Sequence, residues 1–335
     1  MRILEAADIR DAVSMKAAIA AVREGFIALS TGRATVPLRT ALTTETGSTT
    51  LTMPAHVQGQ RFTVVKVISV CPGNPARGLP AVNGVVLVIE ADTGEPKALM
   101  DGAFLTALRT GAASGLATDL LARPDAAILG VIGAGVQART QVAAALAVRP
   151  IREVRIYSLE GAEAMAGQLR VQHPDLAIRV TASAADALRG ADVICAATTS
   201  RTPVVYAADV KPGAHINGVG SYTPEMQEVA ADVVARARVV IDSREGALAE
   251  AGDLIIPLRQ GLIRAEALVE IGEVAAGGKP GRQSPDEITF FKSVGNAVQD
   301  AMVAGLAYQV AEERGLGKAA GLVIGDPKQV AVRIH

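Results

Sequence analysis

The sequence predicts an α/β protein with a doubly wound parallel sheet and a second α+β domain. Three observations predict it. The 335 residues exceed one average domain. From about residue 119 the chain repeats strand, tight turn and helix, which is typical of a parallel sheet. The segment before it alternates extended runs with dense turn signals such as CPGNPARG.

Composition and charge exclude several functional classes. The formal net charge is -1 with dispersed basic residues, so we expect neither a nucleic-acid partner nor a membrane-surface partner. No apolar run is long enough to span a bilayer, and the start lacks a secretory h-region, so we expect a cytoplasmic protein. The two cysteines, Cys71 and Cys195, are far apart and predict neither a disulfide framework nor a metal site.

The first segment predicts an opening helix from Met15 to Leu29, followed by strands. One strand, RFTVVKVISV (61–70), carries a lysine inside an apolar run. Lys66 shares a face with Val64 and Ile68, because side chains alternate along a strand. Two interpretations remain open at this point. The lysine either guards an exposed sheet edge or binds an anion in a buried cleft.

Two arginines have sequence contexts that suit an anionic ligand. Arg109 lies on a predicted helix (104–122) among small residues that let a ligand come close, and a guanidinium offers a bidentate fork to a carboxylate. Arg39, in ATVPLRTAL, lies between extended segments and is a second candidate. The alternative for Arg109 is an ordinary surface arginine.

The second segment begins with the strongest chemical motif, AAILGVIGAGVQARTQ. Gly133, Gly135 and Ala138 form a G-x-G-x-x-A pattern between a strand and a helix (137–147). In a Rossmann-type fold this pattern allows a tight turn, close approach of a pyrophosphate and close helix packing, while free helix amides bind the anion. The alternative is a glycine-rich turn without a ligand.

The end of the next strand, RIYSLEG, indicates which nicotinamide coenzyme is used. Ser158 and Leu159 occupy the position where a carboxylate would bind the ribose 2′-hydroxyl of NAD. A carboxylate there would repel a 2′-phosphate, so its absence favours NADP(H) over NAD(H).

Further short strands are predicted at IRVT, DVICAAT, HINGVG and RVVID. In the last part, from Phe290 onward, the stretch NAVQDAMVAGLAYQVAEER predicts a long helix that ends at Gly315, followed by a tail that could rejoin the first segment. We therefore predict one domain from residues 1–117 with 311–335, and a Rossmann domain from 118–310.

Several motifs together resemble one family, the ornithine cyclodeaminase and μ-crystallin family of NAD(P)-dependent proteins. They are VPLRT, TMPAH, VVKV followed by PGNPARGLP, TGEPKALMDG, LTALRTGAAS, GAGVQA, GAHINGVGSYTPEMQE and FKSVGNAVQD, and they cover nearly the whole chain. The resemblance implies that the first domain binds substrate and forms a homodimer, with the active site in the cleft between the domains.

The resemblance also implies roles for individual residues. Arg39, Lys66 and Arg109 would hold a substrate carboxylate, with Lys66 and Arg109 as the catalytic pair. His56, Asn83 and Tyr222 are further candidates at the substrate. The coenzyme would contact residues of the glycine-rich turn, of the adjacent strand end and of the nicotinamide side, namely Gly133, Ala134, Gly135, Val136, Gln137, Ser158, Thr198, Asn217, Val219, Ser293 and Val294.

One departure from the family pattern selects among activities. Ornithine cyclodeaminases carry an aspartate in a GGD-type motif where this chain has Tyr222. A phenol replaces a carboxylate poorly in binding a distal ammonium or moving protons at neutral pH. The chain thus resembles the family's oxidoreductases that reduce cyclic ketimines such as Δ1-pyrroline-2-carboxylate and Δ1-piperideine-2-carboxylate to L-proline and L-pipecolate. An alanine-type dehydrogenase, a cyclodeaminase and a non-enzymatic crystallin-like NADP(H)-binding protein are the alternatives.

Overall fold

A computed structural model describes residues 1–321 of the chain. Its strands are β1 Arg2–Leu4, β2 Ala34–Thr35, β3 Thr40–Thr43, β4 Thr49–Val57, β5 Phe62–Val70, β6 Val82–Glu90, β7 Pro96–Asp101, β8 Ile128–Ile132, β9 Glu153–Tyr157, β10 Ala177–Val180, β11 Val193–Ala196, β12 His215–Gly218, β13 Arg238–Ile241, β14 Val269–Glu270, β15 Thr289–Lys292 and β16 Lys318–Ala319.

The helices lie between these strands. They are α1 Ala6–Ala12, α2 Met15–Ser30, α3 Gly102–Leu121, α4 Val136–Val148, α5 Ala162–Gln172, α6 Ala184–Leu188, α7 Ala231–Arg236, α8 Arg244–Glu250, α9 Gly252–Arg259, α10 Ile271–Ala275 and α11 Ala297–Arg314, with short 3₁₀ turns at Pro75–Arg77, Ala207–Asp209 and Ala265–Ala267.

The first eight-stranded sheet, sheet A, is mainly antiparallel. Its strand order is β16-β1-β7-β6-β5-β4-β2, and β3 pairs with β4. Buried and partly exposed residues alternate along β5, as expected of a sheet that is covered on one face. Helices α2, α3 and α11 enclose a common core with the inner face of this sheet. This arrangement is the α+β domain.

The second eight-stranded sheet, sheet B, is entirely parallel, with the order β10-β9-β8-β11-β12-β15-β13-β14. The chain moves outward from β8 to β10 and then returns to the other side of β8 at β11, which makes a doubly wound Rossmann-type sheet. Ligands of such sheets bind outside the carboxyl ends of the strands at this switch point. The predicted fold class is therefore confirmed.

One strand was not predicted. The helix predicted for NAVQDAMVAGLAYQVAEER is present, but residues Thr289–Lys292 just before it form β15, which inserts between β12 and β13 in sheet B. All four residues are buried, and a four-residue apolar run gives too short a pattern to distinguish a strand from the start of a helix. The helix itself begins later, at Ala297, and ends at Gly315 in the left-handed conformation.

Helix α3 connects the two halves of the molecule. A Cβ placed on Gly111 would lie 2.8 Å from the Thr140 carbonyl oxygen of α4, and one on Gly115 would lie 2.5 Å from Ile19 of α2. The small residues around Arg109 therefore let three helices pack closely. The predicted boundaries at 117/118 and 310/311 fall inside α3 and α11, so the exact division stays a prediction.

The predicted tail is described only in part. Ala320 donates a backbone hydrogen bond to Met1, and β16 pairs with β1. These contacts place residues 318–320 beside the first segment, while 322–335 lie outside the described residues. Within residues 1–321, no helix combines the length and the apolar character needed to cross a membrane.

Candidate active site

Lys66 is the centre of a buried group of charges. Strand β5 lies between β4 and β6, so Lys66 is not on a sheet edge, and its exposed fraction is 1%. The edge-guard interpretation is therefore wrong. Its Nζ lies 2.6 Å from Oδ2 of Asp300 on α11, which is itself fully buried. A buried ammonium requires such a partner, because an unpaired charge in the interior is strongly destabilising.

Arg109 joins the same carboxylate from α3. Its Nε lies 3.2 Å from Asp300 Oδ1, and its Nη1 donates to Gln299 Oε1 at 2.5 Å. A Cβ on Gly295 would lie 2.6 Å from Nη1, so only glycine lets this backbone pack against the guanidinium. We call Lys66, Arg109 and Asp300 the anion cluster. Two formal positive charges face one negative charge, which leaves one positive charge for a bound anion.

The environment of Lys66 lowers its pKa to about 8. Burial is the largest cause, and the positive charge of Arg109 acts in the same direction, while Asp300 opposes both. Arg39 also lowers the Lys66 pKa by its charge. A lysine with this pKa holds a proton at neutral pH and gives it up more readily than an exposed lysine.

Arg39 approaches the cluster from the segment between β2 and β3. Its Nε donates to Glu250 Oε1 at 2.8 Å, and its Nη2 also contacts this carboxylate at the end of α8. Burial is the main cause that lowers its pKa, and the charge of Arg109 adds to the effect. A cavity of about 170 Å³ opens here, lined by Arg39, Glu250, Met53 and Gly295 among others. Met53 is the cross-strand partner of Lys66. The structure thus brings Arg39, Lys66 and Arg109 together.

Three other residues were predicted at the substrate, and two of them lie on the other face of sheet A. His56 is paired with Thr63 in the β4–β5 register, and Asn83 is paired with Ser69 in the β5–β6 register. Met53 and Val86 lie opposite Lys66, and His56 and Asn83 are each three positions away from one of them. Because side chains alternate along a strand, both side chains lie on the outer face of sheet A, away from Lys66. Tyr222 is 42% exposed in the loop after β12. The structure does not bring His56 or Asn83 to the anion cluster.

The glycine-rich turn has the geometry that a dinucleotide requires. Gly133 has φ +107°, and a Cβ there would lie 2.4 Å from the Ala197 carbonyl oxygen, so glycine is needed for the turn itself. Gly135 is exposed at the N-cap of α4, and a Cβ there would meet no atom within 4 Å. The first amides of α4 have no intrahelical acceptor. Free amides at the start of a helix are the groups that bind a pyrophosphate in folds of this type.

The remaining predicted coenzyme residues surround the carboxyl edge of sheet B. Ala134, Val136 and Gln137 belong to the turn and α4, Ser158 follows β9, Thr198 follows β11, Val219 follows β12, and Ser293 and Val294 follow β15. Asn217 differs, since its side chain is buried and donates to Thr118 Oγ1 at 3.0 Å while its Oδ1 lies 3.2 Å from Nε2 of His215. Its amide is thus occupied within the protein.

Sequence reasoning missed the carboxylates of this region. Asp300 contacts the predicted cations, Glu250 contacts Arg39, and Asp242 accepts from Ser293 Oγ and from the Val294 and Gly295 amides at 2.8 to 2.9 Å. Burial raises the pKa of Asp242, although these hydrogen bonds oppose the shift. Asp300 ends the motif FKSVGNAVQD, but the motif alone did not assign it a role, because the partner of each carboxylate is distant in the chain.

A glycine-rich turn on a Rossmann-type sheet together with buried cations on β5 and α3 is the combination expected of a protein that binds a nicotinamide coenzyme and a small anionic ligand. A sequence model of the ornithine cyclodeaminase/mu-crystallin family matches residues 1–315, and the chain belongs to that family. The predicted family resemblance is therefore confirmed.

Individual relatives are similar over almost the whole chain. The Δ1-pyrroline-2-carboxylate reductase of Bacillus cereus is 40% identical over 322 residues, which cover 95% of this chain and 99% of the relative. The structure of Thermococcus litoralis Δ1-pyrroline-2-carboxylate reductase in complex with NADH and L-proline superposes with a TM-score of 0.92 at 41% identity, covering 96% of this chain and 100% of the other. An archaeal alanine dehydrogenase dimer with bound NAD gives 0.88 at 36% identity, with coverages of 96% and 99%.

Proposed function

We propose that the protein is an NAD(P)H-dependent reductase of cyclic ketimine carboxylates, converting Δ1-pyrroline-2-carboxylate or Δ1-piperideine-2-carboxylate to L-proline or L-pipecolate. The observation that carries the proposal is the anion cluster, because its one uncompensated positive charge matches one substrate carboxylate. Similarity to two Δ1-pyrroline-2-carboxylate reductases supports the same activity.

The residues of the anion cluster contribute to the reaction mainly by orienting the substrate. Lys66 and Arg109 bind the substrate carboxylate. Arg39 leaves its ion pair with Glu250 and binds the same substrate carboxylate. The coenzyme, when bound, supplies a hydride to the imine carbon. Asp300 keeps both cations in place, so the ligand meets a preorganised site. Reduction also adds a proton to the imine nitrogen. The lowered pKa of Lys66 makes its ammonium a competent donor of that proton, with water as the other candidate.

The coenzyme we propose as preferred is NADP(H), on the evidence of Ser158 at the end of β9. No carboxylate occupies positions 158 and 159, so nothing there repels a 2′-phosphate. The solved relatives hold NADH and NAD, so both coenzymes must be compared. We expect a higher kcat/KM with NADPH, and we expect Ser158→Asp to reverse the preference. A preference of the unaltered protein for NADH would contradict this assignment.

The central experiment is a substrate panel that follows NADPH and NADH oxidation. It contains the two cyclic imines, pyruvate with ammonia, and pyruvate with methylamine, and ammonia release from L-ornithine is assayed separately. We expect the cyclic imines to give the highest kcat/KM, with L-proline or L-pipecolate as product. Faster turnover of pyruvate with ammonia would indicate an alanine dehydrogenase, and faster ammonia release from L-ornithine would indicate a cyclodeaminase. Coenzyme binding without turnover of any substrate would favour a binding protein.

We also propose that the protein is a homodimer. Four aliphatic side chains lie on the outer face of sheet A, opposite the buried core: Val65, Val67, Val85 and Leu87. Val85 is 41% exposed. An apolar sheet face of this kind is typical of a subunit interface, and the archaeal alanine dehydrogenase is a dimer.

A further inference from the structure

A second group of buried charges lies outside the anion cluster, at the carboxyl edge of sheet B. It consists of Glu228, Asp253 and Lys292, which are fully buried. Glu228 and Lys292 lie in two of the family motifs, but the sequence assigned no role to any of the three. Within residues 1–321, none of them forms a hydrogen bond or ion pair with the anion cluster. We call this group the edge network.

Glu228 joins two loops through one carboxylate. Its Oε1 accepts from the Thr198 amide at 2.6 Å and the Thr198 hydroxyl at 2.8 Å. Its Oε2 accepts from the amides of Gly220 at 2.6 Å and Ser221 at 3.1 Å. The first loop follows β11 and the second follows β12. Hydrogen bonds from amides to a carboxylate are among the stronger ones in proteins.

The two loops touch each other at the point where Glu228 binds. A Cβ on Gly220 would lie 2.0 Å from the Thr198 carbonyl oxygen and 2.5 Å from Glu228 Oε1. The loop geometry is therefore set jointly by the glycine and by the carboxylate. Neither loop can move away without breaking charge-assisted hydrogen bonds.

Asp253 binds the backbone of Glu228 and pairs with Lys292. Asp253 Oδ1 accepts from the Glu228 amide at 2.7 Å and the Val229 amide at 3.0 Å, and its Oδ2 lies 2.9 Å from Lys292 Nζ. Lys292 is the last residue of β15 and directly precedes Ser293 and Val294. Burial and the Asp253 charge raise the pKa of Glu228, while Lys292 opposes them. The network thus ties together the loops after β11, β12 and β15.

We propose that Glu228 is a positioning residue that shapes the half of the coenzyme site receiving the nicotinamide ring. The proposal rests on the proposed function, because it places a nicotinamide beside Thr198 and Val219. The adenine half of a coenzyme would lie instead along the glycine-rich turn and Ser158, which have no contact with Glu228 among the described hydrogen bonds.

The test measures how Glu228 affects the binding of each half of the coenzyme. Glu228→Gln keeps the size of the side chain but turns an amide group toward some of the four donors, so at least one loop loses its acceptor. We expect the Kd for NADH, measured by nicotinamide fluorescence, to rise about tenfold or more, the scale of one or two charge-assisted hydrogen bonds. The Kd for ADP-ribose, which lacks the nicotinamide, should change by less than about twofold, since its contacts are unaltered.

Asp192→Asn is the matched control. Asp192 also accepts four hydrogen bonds, from Ala127, Ile128, Arg123 and Lys211, but it lies just before β11, at the opposite edge of the same sheet. We expect this variant to lose thermal stability while both Kd values stay within about twofold of the original.

Parallel increases in the Kd values for NADH and ADP-ribose in Glu228→Gln would overturn the proposal, and so would an unchanged NADH Kd. If Glu228→Gln does not fold, Glu228→Asp is judged by the same criteria, because a shorter carboxylate cannot reach both loops. These measurements use no imine. A protein that binds NADH yet fails to reduce any imine would therefore refute the proposed reaction and leave the role of Glu228 intact.

Discussion

At the scale of single residues, the anion cluster explains why a strand carries a buried lysine. Lys66 and Arg109 could be selected from the sequence because an ammonium in a β-branched run and an arginine among small residues are unusual, and because both match motifs of a family. Asp300 lies in the motif FKSVGNAVQD, but its pairing could not be predicted, because it is separated from Lys66 by 234 positions. Only the folded chain pairs them.

The pairing with Asp300 predicts the behaviour of Lys66→Met. Asp300 keeps Arg109 as its counter-ion in this variant, so the change removes one buried charge-assisted hydrogen bond, and we expect stability to fall by about 1.5 to 3 kcal/mol. Loss of a charged contact to the substrate should lower kcat/KM for the imine by about 30-fold to 1000-fold. Urea unfolding and steady-state kinetics measure the two effects.

A lysine of the same sheet serves as the control. Lys97 on β7 forms its ion pairs at the surface, with Glu95 and Glu90, and Lys97→Met should change both quantities little. Normal kinetics in Lys66→Met would refute its assignment as a carboxylate ligand.

The lowered pKa of Lys66 predicts opposite pH trends for activity and stability. Its pKa is about 8 in the folded protein against an ordinary value of 10.5. Above about pH 8 the folded protein loses the ammonium that binds the substrate, so kcat/KM should fall. Between the two pKa values the unfolded chain binds more protons, so the same group should make stability rise with pH.

Kinetics and denaturant unfolding between pH 7 and 10 test this divergence. The part of each trend that comes from Lys66 should be absent in Lys66→Met, which has no titrating group at position 66. A fall in kcat/KM above pH 8 that persists in the variant would assign the titration to another group.

At the scale of elements, the turn between β8 and α4 was predictable and β15 was not. Glycine spacing between a strand and a helix identified the turn, because each glycine there has a separate steric reason. Residues 289–292 gave no comparable signal, since a four-residue strand buried on both faces has no alternation. The same difficulty hid the edge network, because Lys292 ends this strand.

Two glycines of the turn should respond differently to alanine. Gly135 has φ −74° and an unobstructed Cβ position, so Gly135→Ala should keep the melting temperature. Its methyl group would project into the space assigned to the pyrophosphate, so we expect the Kd for NADPH to rise about tenfold or more.

Gly133→Ala should show the reverse order of effects. Its positive φ and its closeness to the Ala197 carbonyl oxygen make a methyl group costly to the fold, so the melting temperature should fall by several degrees. Differential scanning fluorimetry and coenzyme titration distinguish the variants. An unchanged coenzyme affinity in Gly135→Ala would contradict the placement of the pyrophosphate.

At the scale of the whole molecule, the two sheets carry different parts of the candidate site. Sheet B carries the dinucleotide turn, whereas sheet A with α3 and α11 carries the anion cluster. The sequence predicted this division from the change in rhythm near residue 119. It could not predict that the outer face of sheet A would be apolar around Val85, since that depends on which face the helices cover.

The outer face predicts how the oligomer can be disrupted. Val85→Lys places a charge in the centre of the proposed interface, where desolvation would be costly. We expect the mass in solution, measured by light scattering at micromolar concentration, to shift from a dimer to a monomer. Val171→Lys on α5, where the valine is 85% exposed, should leave the dimer unchanged. A monomeric mass for the unaltered protein would refute the proposed homodimer.

The position of Asp300 also has a consequence for synthesis on the ribosome. Lys66 emerges early, whereas its counter-ion belongs to α11, which is translated only after all of sheet B. Synthesis at about 5 to 20 residues per second leaves β5 waiting on the order of 10 seconds or more for a partner. During that interval, burying the charged lysine would leave it without its counter-ion, which opposes closure of the core of sheet A around it. We therefore expect the parallel sheet, complete by Lys292, to fold first and the anion cluster to assemble last, when α11 docks.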